Sequence, residues 1–339
     1  GLAEPMTQSL QAGSIRTALT LDAPVEAAYV EGKLRQLVAE TMHRRGAVVA
    51  MSGGVDSSVC AGIAAAALGP SRVVGLLLPE RESDPADAAL AREWAGKLGI
   101  EVVVEDITAA LEGLGCYARR DAAIRRVVPD YGPGWRSKIA LAPAGADAAR
   151  GLNVFRLVVR APDGATSMVR LPPAEYREIV AATNDKQRVR KLLDYFHADR
   201  LHYAVIGTPN RLEYDQGFFV KGGDGLADVK PIAHLYKSQV YQLARHYGVP
   251  AGITDRSPTT GTYGLPQSQG EFYFQLEPRS LDVVLYARNA GLPAEVPARE
   301  LGLPVEDVEH LYQDIARKRA TTRYLHLGAQ LVRPVPELD

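Results

Sequence analysis

A chain of 339 residues with 46% hydrophobic content can bury a sizeable core and has room for roughly two domain-sized units, or for one large α/β domain with insertions. Its formal net charge of −1 argues against broad nucleic-acid binding, which rests on a strongly basic domain. Two cysteines, Cys60 and Cys116, provide no disulfide framework, no apolar run approaches the ~20 residues of a membrane span, and the N-terminus lacks a basic-then-apolar signal pattern, so a cytoplasmic location is expected.

Asp22 and Pro24 mark a helix start, and an amphipathic spacing continues through Arg45 until Gly46 ends it. Ala47-Val-Val-Ala-Met51 reads as a buried strand, Ser52-Gly-Gly-Val-Asp-Ser-Ser58 as a glycine turn, and Val59 to Ala67 as a helix. A second strand covers 73–78, a helix opens at Asp84-Pro85 and closes at Gly99, and a third strand covers 100–104. This βαβαβ order predicts an α/β fold, a doubly wound parallel sheet with helices on both faces.

From 107 to 183 the rhythm breaks at Pro129, Pro133, Pro143, Pro162, Pro172 and Pro173, which reads as an insertion. Within it, Val154 to Arg160 and Ser167 to Leu171 flank Pro162-Asp-Gly164 as a β-hairpin. Upstream, Arg119, Arg120, Arg125, Arg126, Arg136 and Lys138 form a basic stretch, read either as a solvated helix face or as a contact to a phosphorylated substrate or nucleic acid. The βα pattern resumes with a helix over 184–197 and a strand over 202–207, and helices over 238–247, 279–289 and 305–319 follow. The expected division is therefore 1–106 for the N-terminal helix and first half-sheet, 107–183 for the insertion, 184–325 for the second half and C-terminal helices, and 326–339 for a tail.

The turn at 52–58 is built for an anion. Gly53 and Gly54 allow a sharp bend and close approach of amide groups, while Ser52, Ser57 and Ser58 add hydroxyls beside a helix N-terminus. Asp56 would repel the same anion, so it either binds Mg²⁺ that bridges to phosphate or merely caps the helix. No lysine stands where a G-x-x-x-x-G-K-[ST] loop carries one, which disfavours ordinary γ-phosphate hydrolysis.

This loop resembles the signature of the N-type ATP pyrophosphatases. Three further stretches narrow the resemblance to the NAD synthase family: Gly207-Thr-Pro-Asn-Arg-Leu-Glu213, Phe218-Phe-Val-Lys-Gly-Gly-Asp-Gly-Leu-Ala-Asp228 and Pro231-Ile-Ala-His-Leu-Tyr-Lys-Ser-Gln-Val240. Asn184-Asp-Lys-Gln-Arg-Val-Arg190 is similar to the family's Asn-Ile-Gln-Ala-Arg-x-Arg. The similarity is dense over 44–106 and 184–260 and absent through most of the insertion. It implies an adenine nucleotide α-hydrolase-like, Rossmann-like fold with ATP as co-substrate.

The resemblance also implies residue roles. Residues 52–58, including Val55, would hold the ATP phosphates together with Lys237, Thr208 and Arg188. Asp56, Glu213 and Thr259 would hold Mg²⁺, with Asp56 and Lys237 as the catalytic pair. Arg188, Asp224 and Asp228 would contact substrate. For Asp224 and Asp228 a purely structural part in a Gly-rich turn stands equally open, and for Glu213 alone a surface helix residue is the ordinary alternative. Both loops, 52–58 and 208–213, follow strands and should face one crevice at the sheet's topological switch point.

The implied reaction adenylates the carboxylate of deamido-NAD, releases pyrophosphate, and lets ammonia displace AMP. The chain lacks the length for a fused nitrilase-like glutaminase, so free ammonia or a separate glutaminase is expected, and the family implies a homodimer. Tyr263-Gly-Leu-Pro-Gln-Ser-Gln-Gly-Glu-Phe-Tyr-Phe274 departs from the family's Gly-Gln-x-Asp-Glu stretch, and Pro209, Asp185 and the insertion are further departures. They keep open an amide ligase acting on another carboxylate. Sulfur transfer is a third reading, with Cys116 as its only plausible sulfur handler.

Overall fold

The computed structural model describes residues 14–141, 155–256 and 276–338. In chain order its helices and strands are α1 (Ile15–Ala18), α2 (Ala23–Gln36), β1 (Ala47–Ala50), α3 (Val55–Leu68), β2 (Val73–Leu77), α4 (Pro85–Leu98), β3 (Glu101–Val104), α5 (Thr108–Gly113), α6 (Cys116–Arg125), β4 (Arg136–Leu141), β5 (Phe155–Arg160) and β6 (Thr166–Arg170). There follow α7 (Pro173–Leu201), β7 (Ala204–Ile206), α8 (Arg211–Gln216), α9 (Lys237–Tyr247), α10 (Ala251–Thr254), α11 (Pro278–Asn289), α12 (Glu295–Leu301) and α13 (Val305–His326).

Strands β3, β2, β1 and β7 lie side by side in that order, all parallel. Side chains alternate faces along each strand. Ala47, Val49 and Met51 join Val73 and Leu77 in the core beneath α2, α3 and α9, while Val48 joins Val74, Leu76 and Val205 against the opposite layer. Helix α3 is buried nearly all round because it lies between the sheet and two further helices, which explains its run of alanines with Ile63. The opposite face is covered by α5, α6 and α7 through Ile107, Leu111, Tyr117, Val189 and Ala198. The doubly wound α/β reading therefore holds.

The insertion is differently built from the expectation. Its first part is not an appendage, since α5 and α6 complete the second helical layer. The expected hairpin is present as β5 and β6, with Gly164 in the left-handed region (φ 89°) and the Asp163 carboxylate accepting from the Ala165 amide at 2.9 Å. It has a third partner in β4, so the small sheet runs β4-β5-β6, antiparallel throughout. That sheet packs Ile139, Leu157 and Val159 against Ala123 and Ile124 of α6 and Ile179 of α7.

The helix expected to begin at 184 begins at 173. Pro172 and Pro173 occupy the N-cap and first helical positions, where a missing amide proton costs nothing. One 29-residue helix thus crosses the expected boundary between 183 and 184. The N-terminal helix is shorter than expected, ending at Gln36 and passing through a π-helical turn at Leu37–Thr41. At the other end α13 continues to His326, past the expected 319.

Candidate active site

The chain leaves β1 towards β2 and β3, then returns through α7 to place β7 on the other side of β1. The direction of winding reverses there, and the crevice beyond the carboxyl ends of β1 and β7 is where such a sheet binds ligands. Residues 52–58 follow β1 and residues 208–213 follow β7, so both loops open onto it.

Gly53 sits at φ 80°, and a Cβ there would stand 2.5 Å from the Asp87 carbonyl oxygen, so both conformation and space demand glycine. Gly54 is the N-cap of α3. Val55 anchors the helix start in the core, while Ser57 and Ser58 are buried. The Ser58 hydroxyl donates to the Gly54 carbonyl at 2.7 Å and the Ser57 hydroxyl accepts from the Ser52 amide at 3.2 Å, so these two shape the turn from inside. Ser52 is exposed and faces outward with the amides of the first turn, which by geometry have no acceptor within the helix.

Asp56 meets Lys237 across 181 residues of sequence, with Nζ 2.7 Å from Oδ2. Lys237 is 2% exposed and begins α9. Burial alone would lower its pKa, but the carboxylates of Asp56 and Glu213 hold it above the ordinary lysine value. Glu213 is also raised, up to about 8, first by burial and then by the negative charge of Asp56.

Asn210 ties these groups together. It is fully buried and caps α8, its carbonyl accepting from the Glu213 amide at 3.1 Å while Glu213 Oε1 accepts from the Asn210 amide at 3.2 Å. Its Nδ2 also donates to the Asp56 carboxylate at 3.4 Å. The Asn-x-x-Glu spacing is a capping-box signature that the sequence displays, although its link to Asp56 is purely tertiary. Asp282 was not legible as a site residue either. It is wholly buried on α11 and accepts from the Lys237 and Ser238 amides at 3.1 and 2.7 Å, fixing the start of α9 and thus the root of Lys237. Burial raises its pKa to about 6.

The other expected residues divide. Thr208 is half-buried directly after β7 and Gly207, where a Cβ would strike Ala227. Arg188 is exposed on α7 and donates to the Lys221 carbonyl at 3.0 Å, which ties α7 to the 218–228 loop. Asp224 accepts from the Val220 amide at 2.6 Å, and Asp228 from Tyr195 and the Val205 amide at 3.1 and 2.8 Å. Both carboxylates brace the Gly-rich turn in this structure. Thr259 and the 263–274 stretch lie outside the described residues. Cys60 is buried on α3 as expected. Cys116 is buried too, donates to the Ala182 carbonyl at 3.1 Å, and is pushed up to about 11 by burial, which removes it as a sulfur-handling thiolate.

The basic stretch at 119–138 contains a third surprise. Arg120 is neither solvated nor turned to a ligand, but is 5% exposed and paired with Glu82 and Asp121. Lys186 of α7 joins the same group, 3.2 Å from Glu80 and 2.8 Å from Glu82, and the Tyr117 hydroxyl donates to Glu80. A buried ionic cluster therefore ties the loop after β2 to α6 and α7.

Beside α8, an open cavity of about 670 Å³ is lined by Arg211, Tyr214, Lys230, His234, Arg323 and His326, among others. His234 is engaged there with Glu26 at 2.7 Å and does not join the Asp56 group.

Two spans of the chain, 26–124 and 164–322, match the family model for NAD synthase. The NH(3)-dependent NAD(+) synthetase of Rhizobium meliloti (strain 1021) is 53% identical over 321 residues, covering 95% of both chains. That of Rhizobium rhizogenes is 50% identical over 331 residues, with 98% of this chain and 99% of the relative covered. Among solved structures, an NH3-dependent NAD synthetase from Campylobacter jejuni superposes with a TM-score of 0.60 at 16% identity over 93% of this chain and all of its own. An NMN synthetase from Francisella tularensis gives 0.57 at 21%, over 92% and 99%. At these identities the two structures speak for the fold alone.

Proposed function

The chain belongs to the NAD synthase family, and we propose that it is a carbon–nitrogen ligase that activates the carboxylate of deamido-NAD with ATP and amidates it with ammonia to give NAD. The observation that carries this reading is the meeting of Asp56, Lys237, Asn210 and Glu213 at the switch point, where the loops after β1 and β7 face each other.

Asp56 and Glu213 are the residues that would hold Mg²⁺. Each offers hard oxygen donors, and the upward push on Glu213, first from burial and then from the Asp56 charge, fits two carboxylates that a divalent cation would reconcile. Among the described residues no third His, Cys, Asp or Glu completes a protein-only site, which fits an ion shared with nucleotide phosphates. Thr259 is retained as the family's further ligand. Bound there, the ion would neutralise charge on the phosphates and on departing pyrophosphate.

The protein's own part is positioning and electrostatics. Ser52 and the first-turn amides of α3 cradle phosphate oxygens at the positive end of the helix. Lys237, rooted by Asp282, presents a fixed ammonium to the α-phosphate as charge develops during attack by the substrate carboxylate. The attacking oxygen is already anionic, so no protein nucleophile is required. Thr208, Arg188, Asp224 and Asp228 stay assigned to nucleotide and substrate contacts, the last two acting through the turn that they brace.

Among the described residues no helix is long and apolar enough to cross a membrane, and we place the reaction in the cytoplasm. A homodimer is proposed as well. It is supported by Leu192 and Phe196, one turn apart on α7 and 67% and 56% exposed.

The test is product analysis with ATP, deamido-NAD and an ammonium salt. Stoichiometric AMP, pyrophosphate and NAD are expected. ADP as the product, or turnover confined to other carboxylic acids, would remove the assignment.

A further inference from the structure

Arg190 closes the 184–190 motif and has no part in the site so far described. On α7 it precedes the helix end at Leu201 by eleven residues, or ~17 Å of helix. The neighbouring β7 is three residues long, ~10 Å. Since α7 runs against the strands, Arg190 stands above their carboxyl ends, level with the crevice loops. Lys186, one turn earlier, confirms the level by reaching Glu80 and Glu82 in the loop after β2.

The electrostatic neighbours of Arg190 are Glu80, Asp194, Asp224 and Asp87. They lie on both sides of the crevice. Asp87 belongs to the segment whose backbone abuts Gly53 of the phosphate loop, and Asp224 belongs to the 218–228 loop, where Gly223 packs on Gln187.

None of these carboxylates is committed to Arg190. Glu80 is held by Lys186 and Tyr117, Asp87 by Arg256 at 2.7 Å and Asp224 by the Val220 amide, while Asp194 gives Oδ2 to Lys191 at 3.1 Å and keeps a buried Oδ1 without a hydrogen-bond partner. The Nε of Arg190 is buried and has no hydrogen-bond partner. A guanidinium cannot shed its proton to escape such a position, and a buried charged donor left unpaired is costly. Lys237 answers the same problem with Asp56, whereas Arg190 has no equivalent partner.

We propose that Arg190 is a phosphate-binding residue of the crevice, donating to a phosphate oxygen of a bound nucleotide. This rests on the ligase reading above and adds a contact to it. Phosphate is the fitting acceptor because its oxygens match the planar fork and because the crevice is already built for that group. Both substrates carry phosphate, so the source is either ATP or the dinucleotide.

Steady-state kinetics of the full-length wild type, Arg190→Gln and Arg190→Lys separate the cases, together with calorimetric binding of inorganic pyrophosphate in the presence of magnesium. Arg190→Gln should raise the KM of one nucleotide at least tenfold with the melting temperature little changed, and Arg190→Lys should recover part of the loss by retaining charge without the fork. A rise in KM for ATP with weaker pyrophosphate binding assigns the contact to ATP, and a rise confined to deamido-NAD assigns it to the dinucleotide. Should Arg190→Gln fail to fold, Arg190→Lys carries the same comparison. Unchanged KM values and pyrophosphate binding would overturn the proposal. So would an Asp194→Asn variant that reproduces the Arg190→Gln pattern, because Arg190 would then act by fixing its helix neighbour. An inactive wild type would instead refute the ligase reading, and pyrophosphate binding would still report on Arg190.

Discussion

Two groups of buried charge, one under the loop after β2 and one at the phosphate loop itself, behave in opposite ways. In the cluster under the loop after β2, each of the carboxylates Glu80, Glu82 and Asp121 has a cation within 3.2 Å, and Arg120 and Lys186 hold Glu82 down at about 2 despite its burial. In the crevice two carboxylates share one lysine, and Glu213 is driven up to about 8. The first group has satisfied itself and acts as a rivet between α6, α7 and the β2 loop. The second has one more carboxylate than its lysine can pair, in a crevice open to ligands, which is the electrostatic pattern of a site completed from outside.

The sharpest test of that contrast is Asp56→Asn. Activity should fall by about 10³, the scale expected when a preorganised charge at the reacting phosphate is removed. Its melting temperature should stay within a few degrees, because Glu213 remains to face Lys237; activity within tenfold of wild type would erase the distinction. Lys186→Met should invert the pattern. It leaves Glu80 without a cation and Glu82 with Arg120 alone in the interior, and should cost about 3–5 kcal/mol in denaturant unfolding, with kcat within tenfold once folded. A kcat loss as deep as that of Asp56→Asn would make the rivet part of the reacting site.

Acid titration sharpens the comparison further. The folded pKa of Glu82, about 2, lies below its ordinary value of 4.5. Its stabilising contribution is therefore fully present above that ordinary value and drains away as pH falls towards 2. Glu82→Gln should flatten the acid limb of the stability curve over that window, and an unaltered limb would contradict the pairing. Asp282→Asn comes next, weakening the grip on the α9 amides by about 1 kcal/mol and lowering kcat/KM several-fold through a looser Lys237. The smallest effect belongs to Cys116→Ser, for which full activity is expected and a large loss would revive a thiol chemistry.

The contrast also explains what could be read in the sequence. Strands β1, β2 and β3 and the glycine turn are written locally, in short apolar runs bounded by Gly and Pro, and they appear where the pattern put them. Asp56 and Lys237 were nameable through family resemblance, yet nothing local says that residues 181 apart form an ion pair. Arg120 was misread for the same reason, since its partner Glu82 is 38 residues away and a basic run looks solvated until that partner is placed. Pro172 and Pro173 were taken as breaks when they are a beginning, an ambiguity that proline always carries. β4 was hidden by its alternation of Arg136 and Lys138 with Ser137 and Ile139, in which a polar residue, Ser137, takes an inward position.

The unbroken run of α7 has a mechanical consequence. Twenty-nine residues of helix span ~43 Å, seated at one end on the antiparallel sheet and at the other on the turn into β7. Such a rod tilts as one piece. Any load on β4, β5 or β6 would therefore be delivered to Arg188 and Arg190 as a shift in position, which would give the outlying sheet leverage over the crevice without touching it.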